Sequence, residues 1–362
     1  MKNKVEFCVP SLFSNCALDY TLLREKTGKE FRYASKGRYA LYHILTSLQV
    51  KKGLLLPAYF CDTILYALDR IDIPYQFYDI DFRDLNPDVQ SIEKKLSVTG
   101  YDAVLVPSFY GYAADLPAIE LLCRKYSAKM IDDAAQSFGA IASDGRMVGT
   151  YGDGGFLAFS PGKSTMAHMG SLYWTSNQTY VYQETRHNLY HFLCYLNFLF
   201  NRQLIYLTRH IPVFSMLGFY HKLLRDEAVI NDTIAKFEDK ILGGCIQALF
   251  DETFCFYSSI WNSFTSRLIK QEDFKIIGNV HGQKSVQRKI VLLFQEQKRC
   301  DEVKQYLQEK GIGFFAGYRL LPGDYADIPN TMKIVNHIIE LPIENHVARM
   351  EYMLNTINQL YF

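Results

Sequence analysis

"FLAFSPGKSTMAHMGSLYW", residues 156 to 174, is the stretch on which the reading of this chain turns. An apolar run of strand length breaks at Pro161-Gly162, and a second strand-like run follows Gly170. Between them stands Lys163, the one charged side chain of the stretch. A lysine held between two core-like runs is either a snorkelling or ion-paired side chain or a group with chemistry to perform.

Upstream, an apolar strand ends in "MIDDAAQSFGA", residues 130 to 140. Two adjacent acids at such a strand end are costly unless a cation or a polar ligand uses them. Side chains alternate along a strand, so Asp132 and Asp133 point to opposite faces and only one can serve a given ligand. Further upstream, "ASKGRYAL" places Gly37 at the mouth of a helix, where free backbone N–H groups and the helix dipole favour a phosphate. A lysine, a carboxylate and a phosphate cradle are the three parts that pyridoxal phosphate (PLP) requires. The amine condenses with the aldehyde, the carboxylate keeps the pyridine nitrogen protonated, and the cradle fixes the other end.

The bounds agree with a globular enzyme. At 362 residues two domains are expected, divided here as 1–245 and 246–362. Lys and Arg total 39 against 38 Asp and Glu, scattered along the chain, so no nucleic-acid footprint is expected. The N-terminal stretch lacks a secretory pattern, and no apolar run approaches the ~18–20 residues of a membrane span. The eight cysteines form no C-x-x-C pair and read as reduced residues of a cytoplasmic protein.

Strand and helix signals alternate through the first half. "GLLLPAY", "YQFYDI", "DAVLVPSF", "AKMIDD", "GFLAFS" and "GSLYWTS" read as strands. "NPDVQSIEKKL" reads as a helix capped by Asn86 with Pro87 at its first position, and Asp115 opens the next. Such alternation predicts an α/β fold with a mainly parallel central sheet flanked by helices, with ligands at the carboxyl ends of its strands. The last third reads as a helix over 242–264, a strand "KIVLLFQE", a helix from about 297, and a terminal helix from Val347, enough for a smaller C-terminal α/β domain. Between them, residues 188–226 are aromatic and apolar, and read as core or dimer interface in preference to a membrane surface. His187 and His191 are four apart, but no acid accompanies them, so no metal is expected.

The sequence resembles the DegT/DnrJ/EryC1/StrS aminotransferases, a family of fold-type-I PLP enzymes. The resemblance is carried by "SKGRYAL", "LLLPAYFCDTI", "YDIDFRDLNPDVQSIE", "VPSFYGYAADLPAI", "IDDAAQSFGA", "VGTYGDGGFLAFSPGK" and "ELPIENHV". It implies that Lys163 is the Schiff-base lysine and that Asp133 pairs with the pyridine nitrogen. Gln136 would lie beside the oxygen-bearing edge of the ring, Gly37 and Arg38 would lie under the phosphate, and Ser160 is the nearest hydroxyl to it. It further implies a homodimer that moves an amino group, with glutamate as the expected donor, to a nucleotide-activated keto-sugar in polysaccharide or related biosynthesis. Departures accompany the match. The family's phosphate-binding serine is Ala158 here, Ser171 replaces a glycine, Ser108 replaces a histidine, and Cys61 stands near the aromatic expected to stack on the cofactor, for which Tyr59 or Phe60 could substitute. Lys240 stands near the asparagine expected from a partner subunit. The alternatives are another PLP-dependent reaction on a different substrate and a relative that binds without turnover.

Overall fold

A computed structural model describes residues 17–160, 163, 167, 169–177, 234, 236–250, 253–269, 272–344 and 347–361. A seven-stranded sheet is built from β1 (Arg32–Ala34), β2 (Leu54–Pro57), β3 (Tyr75–Tyr78), β4 (Ala103–Pro107), β5 (Lys129–Asp133), β7 (Gly154–Ala158) and β8 (Ser171–Thr175). Its order is β1-β8-β7-β5-β4-β2-β3. The pairs from β3 across to β7 are parallel, while β8 runs antiparallel to both β7 and β1. β6 (Ile141–Ala142) pairs outside this sheet with β10 (Gly282–Lys284). A second, antiparallel sheet has the order β12-β11-β9, from Ile338–Pro342, Lys289–Phe294 and Phe274–Ile277.

Alternation along the central strands divides the core into two layers. Val104, Val106, Met130 and Leu157 pack with Ile92 and Leu96 of α4 (Val89–Thr99) and Ile119 of α5 (Leu116–Lys125). Leu105, Ile131, Phe156 and Ala158 point the other way, against Tyr39, Leu41 and Ile44 of α2 (Gly37–Ser47) and Leu68 of α3 (Leu65–Ile71). Buried on both faces, these strands need continuous apolar sequence, which is what the chain supplies. The same alternation puts Asp133 on the α2 side and Asp132 on the α5 side.

Two local expectations are corrected. Asn86 does not cap α4. Asp88 does, accepting from Gln90 N at 3.0 Å, and the helix begins at Val89 rather than Pro87. The Asn86 side chain is committed elsewhere, donating to Asp84 and accepting from Phe109 N at 2.7 Å. The single helix read over 242–264 is two helices, Lys236–Phe250 and Thr253–Arg267. The first of these runs through residue 245, and its Cys245 and Ile246 pack in the same layer as Met130 and Leu157. Asp115 caps α5, accepting from Ala118 N, and the terminal helix begins at Val347. Cys123, Cys245 and Cys300 are buried free thiols, and Cys61 is partly exposed. No described helix is long and apolar enough to cross a membrane.

The second sheet is tied to the first at Gly111. Its carbonyl accepts from Val286 N at 2.9 Å, its φ is +89°, and an added Cβ would fall 2.5 Å from Gln287 N. Both the left-handed backbone and the contact with another backbone exclude a side chain. Gly111→Ala should therefore lower the unfolding free energy by at least about 2 kcal/mol, read as a fall in the urea midpoint. An unchanged midpoint would show that the two backbones can part at no cost.

Candidate active site

The carboxyl ends of β2, β4, β5 and β7 open on one side of the sheet, and a cavity of about 520 Å³ lies there. Gly37, Arg38, Asp133, Ser160 and Lys163 all line it, brought together from α2, the end of β5 and the connection between β7 and β8. A smaller adjoining cavity is lined by Gln136, Ser108 and Tyr318 together with Asp133 and Lys163.

α2 presents its N-terminus to this space. Lys36, its N-cap, is extended (φ −147°) and makes no side-chain capping bond, and no acidic side chain occupies the first turn. The leading N–H groups are thus directed toward the cavity with the positive end of the helix dipole. Gly37 packs closely on Phe156 and Ala158, the end of β7, at 3.5 Å from the position of an added Cβ. Gly170 N donates to Ser35 O at 3.0 Å, which pins the start of β8 beside the same turn.

The paired acids have separate duties. Asp132 is wholly buried, and one oxygen accepts from Gly149 N at 2.6 Å and Tyr151 N at 3.1 Å. It ties the turn before β7 to the sheet. Asp133 accepts from Ala135 N at 2.8 Å and opens onto the cavity. Burial pushes the Asp133 carboxyl up to about 6, partly offset by the positive charge of Lys163 and the Ala135 N–H. Burial lifts Asp132 further, to about 7, against the two backbone donors that favour its charged form.

The departures from the family pattern take definite places. Ala158 lines the cavity with a methyl group, and Ser160 offers the nearby hydroxyl. Ser171 does not contribute one, because its Oγ is buried and donates to Leu157 O. Of the aromatic candidates, Phe60 lines the cavity beside Cys61, whose Sγ lies 3.1 Å from Thr63 Oγ1. Tyr59 is buried behind them, its hydroxyl 2.8 Å from that of Tyr110. Gln136 accepts from Tyr110 N and donates to Tyr318 Oη at 2.7 Å. Burial raises Tyr59, Tyr110 and Tyr318 well above the usual phenol range, with the Glu340 charge adding to each. Ser108 lies under the smaller cavity, with its hydroxyl accepting from Ala114 N. Lys240 is exposed. The segment 188–226, His187 and His191 lie outside the described residues.

Three lining residues come from the small sheet and its loop, where sequence reading placed none: Lys289, Phe315 and Tyr318. Lys289 opens the apolar run "KIVLLF", and a charge at the mouth of such a run was the available signal. Among the described residues, Asp81, Asp84 and His281 offer ligand atoms within 4.8 Å of one another, but Asp81 is already ion-paired with Arg83 at 2.6 Å. His281 instead lies between Asp84 and Asp115, at 4.0 and 3.7 Å, and joins the residue before β10 to the loop before α4 and the N-cap of α5.

These residues fit PLP. A buried carboxylate opens onto a space that also holds a lysine, and a helix N-terminus without acidic side chains in its first turn faces the same space. Residues 33–183 match the model of the DegT/DnrJ/EryC1/StrS aminotransferase family. A similar protein is the UDP-N-acetyl-3-dehydro-alpha-D-glucosamine 3-aminotransferase of Acidithiobacillus ferrooxidans, 29% identical over 133 residues, which are 36% of this chain and 35% of that enzyme. The chain's matches span between 21% and 40% of the length of its curated relatives. Among solved structures, a DegT DnrJ EryC1 StrS aminotransferase from Brucella abortus superposes with a TM-score of 0.70 at 18% identity, covering 96% of this chain and 91% of the other. The E. coli GDP-4-keto-6-deoxy-D-mannose-3-dehydratase with bound hydrated PLP gives 0.69 at 14% identity, covering 93% and 90%. The family match and the curated relatives together support the DegT/DnrJ/EryC1/StrS family for this chain, and the structural likenesses show its fold.

The two acids carry a pH signature. Both are held above the ~3.9 of an unfolded aspartate, so between about pH 4 and 7 the folded protein binds more protons than the unfolded chain. Stability from these groups is fully present below that window and is lost as pH rises through it. Asp132→Asn removes one titration, so its stability should fall less steeply than the parent's between about pH 5 and 8, followed by chemical denaturation. Equal slopes would show that Asp132 does not titrate there.

Proposed function

We propose that this protein is a PLP-dependent aminotransferase that moves an amino group, with glutamate as donor, onto the keto group of a nucleotide-activated sugar. The observation that carries the reading is the convergence of Lys163, Asp133 and the first turn of α2 on one cavity. The name of the Acidithiobacillus relative supports the substrate class. We further propose that the large PLP-binding domain and the small domain divide near residue 245, that the protein works as a homodimer, and that it is cytoplasmic.

PLP, when bound, supplies an electron sink for negative charge developing at the substrate carbon. The α2 N–H groups and the Arg38 guanidinium would hold its phosphate, with Ser160 offering a hydroxyl in place of the one lost at Ala158. Asp133 would pair with the pyridine nitrogen, a cationic partner that favours its ionised form, and would thereby hold the proton on that nitrogen. Phe60 would support the ring, and Gln136, held by Tyr318, would serve its edge. Lys163 Nζ would take the proton from the substrate carbon and hold it for return, the role of a general acid and base. Cavity walls of Phe60, Phe156 and Phe315 exclude water from that transfer.

A second reading keeps the cofactor and changes the reaction, since the same fold is found in the E. coli dehydratase. L-glutamate separates the two. The PLP-loaded protein should release one equivalent of 2-oxoglutarate on mixing with L-glutamate alone, and its absence would overturn glutamate as the amino donor. Borohydride treatment of the loaded protein should leave a mass increment on the peptide that contains Lys163, and Lys163→Ala should carry none there. Asp133→Asn should keep part of its PLP but lose turnover by about a hundredfold or more, while Asp132→Asn should lose far less. Equal losses in the two variants would assign the pair a structural role.

A further inference from the structure

Lys289 enters the cavity from the small sheet. It is the first residue of β11, ion-paired with Glu340 of β12, and its Nζ lies 4.7 Å from the centroid of the Phe315 ring. The Glu340 side chain is 3% exposed and that of Lys289 14%. An ammonium has three donors. Among the described residues, Glu340 is its one hydrogen-bonded acceptor, and the side chain lines the cavity rather than being sealed behind it. Glu340 thus fixes the head while leaving donor capacity toward the ligand.

We propose that Lys289 is a substrate-binding residue, with Glu340 as its positioning residue, and that it takes one carboxylate of the amino donor. This rests on the amino-transfer reading and adds a donor site to it. The cavity lining carries Lys36, Arg38, Lys163 and Lys289 against Asp133 alone, which favours an anionic guest. Lys36 and Arg38 stand at the α2 end, where a phosphate is held, and Lys289 stands on the opposing sheet. A nucleotide diphosphate brings two or more charges and a broad hydration shell. A nearly buried ammonium beside Phe315, with Glu340 immediately behind it, suits a single carboxylate better and repels a second charge.

The test compares the PLP-loaded parent with Lys289→Gln, Lys289→Arg and the double variant Lys289→Gln/Glu340→Gln, which leaves no unpaired buried carboxylate. The glutamine variants should raise the KM for L-glutamate about tenfold or more and weaken glutarate binding in calorimetric titration by a similar factor. PLP affinity should be unchanged, and Lys289→Arg should regain most of the loss. Unchanged KM and glutarate affinity, or a parallel fall in PLP affinity, would overturn the assignment. So would weakening confined to UDP, which would place the anion on the sugar nucleotide. If the parent releases no 2-oxoglutarate from L-glutamate, glutamate as donor fails on its own. The glutarate titration still decides Lys289, with weaker binding in the double variant supporting it and equal binding overturning it.

Discussion

Asp133 stands opposite Phe156 in the parallel pairing of β5 with β7, and the cavity depends on that register. Strand pairing fixes which of two adjacent acids faces α2 and how far the β7 end, with Ser160 and Lys163 beyond it, extends past Asp133. A slip of one residue would turn Asp132 into the cavity and strand Asp133 among the side chains of α5. The register is held from both sides. Asp132 binds the Gly149–Tyr151 turn that leads into β7, and Trp174 of β8 donates to Gly149 O at 2.6 Å.

The reversal of β8 follows from the same requirement. β7 and β8 are neighbours in the sheet and in sequence, and an antiparallel pair needs no covering helix between its strands. Their connection therefore stays at the carboxyl edge, and Lys163 lies on it. A crossover to a parallel partner would have carried the chain away from this edge. The lysine is thus delivered by a hairpin, while Asp133 is delivered by the parallel part of the sheet and Gly37 by the helix that packs against it.

Much of this was legible in the sequence, because the deciding signals are local. Apolar runs without alternation gave the buried strands, and the Asp-Asp and Gly-Lys stretches sit at strand ends where chemistry collects. Asn86 misled because a side chain that could cap a helix was claimed by Phe109 N, a partner distant in sequence. The helices around 242–264 were merged because their apolar residues continue with no glycine or proline between them. Lys289 was missed for a different reason. Its position at the start of "KIVLLF" says that it ends a strand, but only the packing of the small sheet on the large one says what that end looks into. Glu340, 51 residues away, carried no sign of being its partner.

The phenols behind the cavity have a consequence of their own. Tyr59, Tyr110 and Tyr318 form a connected wall with Gln136, and burial beside Glu340 keeps all three protonated. Their hydroxyls can rotate, exchanging donor for acceptor, without any change in charge. Of the three, Tyr318 lines the cavity, and its hydroxyl can meet either a carbonyl or an amine on the same guest atom at constant net charge. A reaction that converts one into the other needs a surface with that indifference.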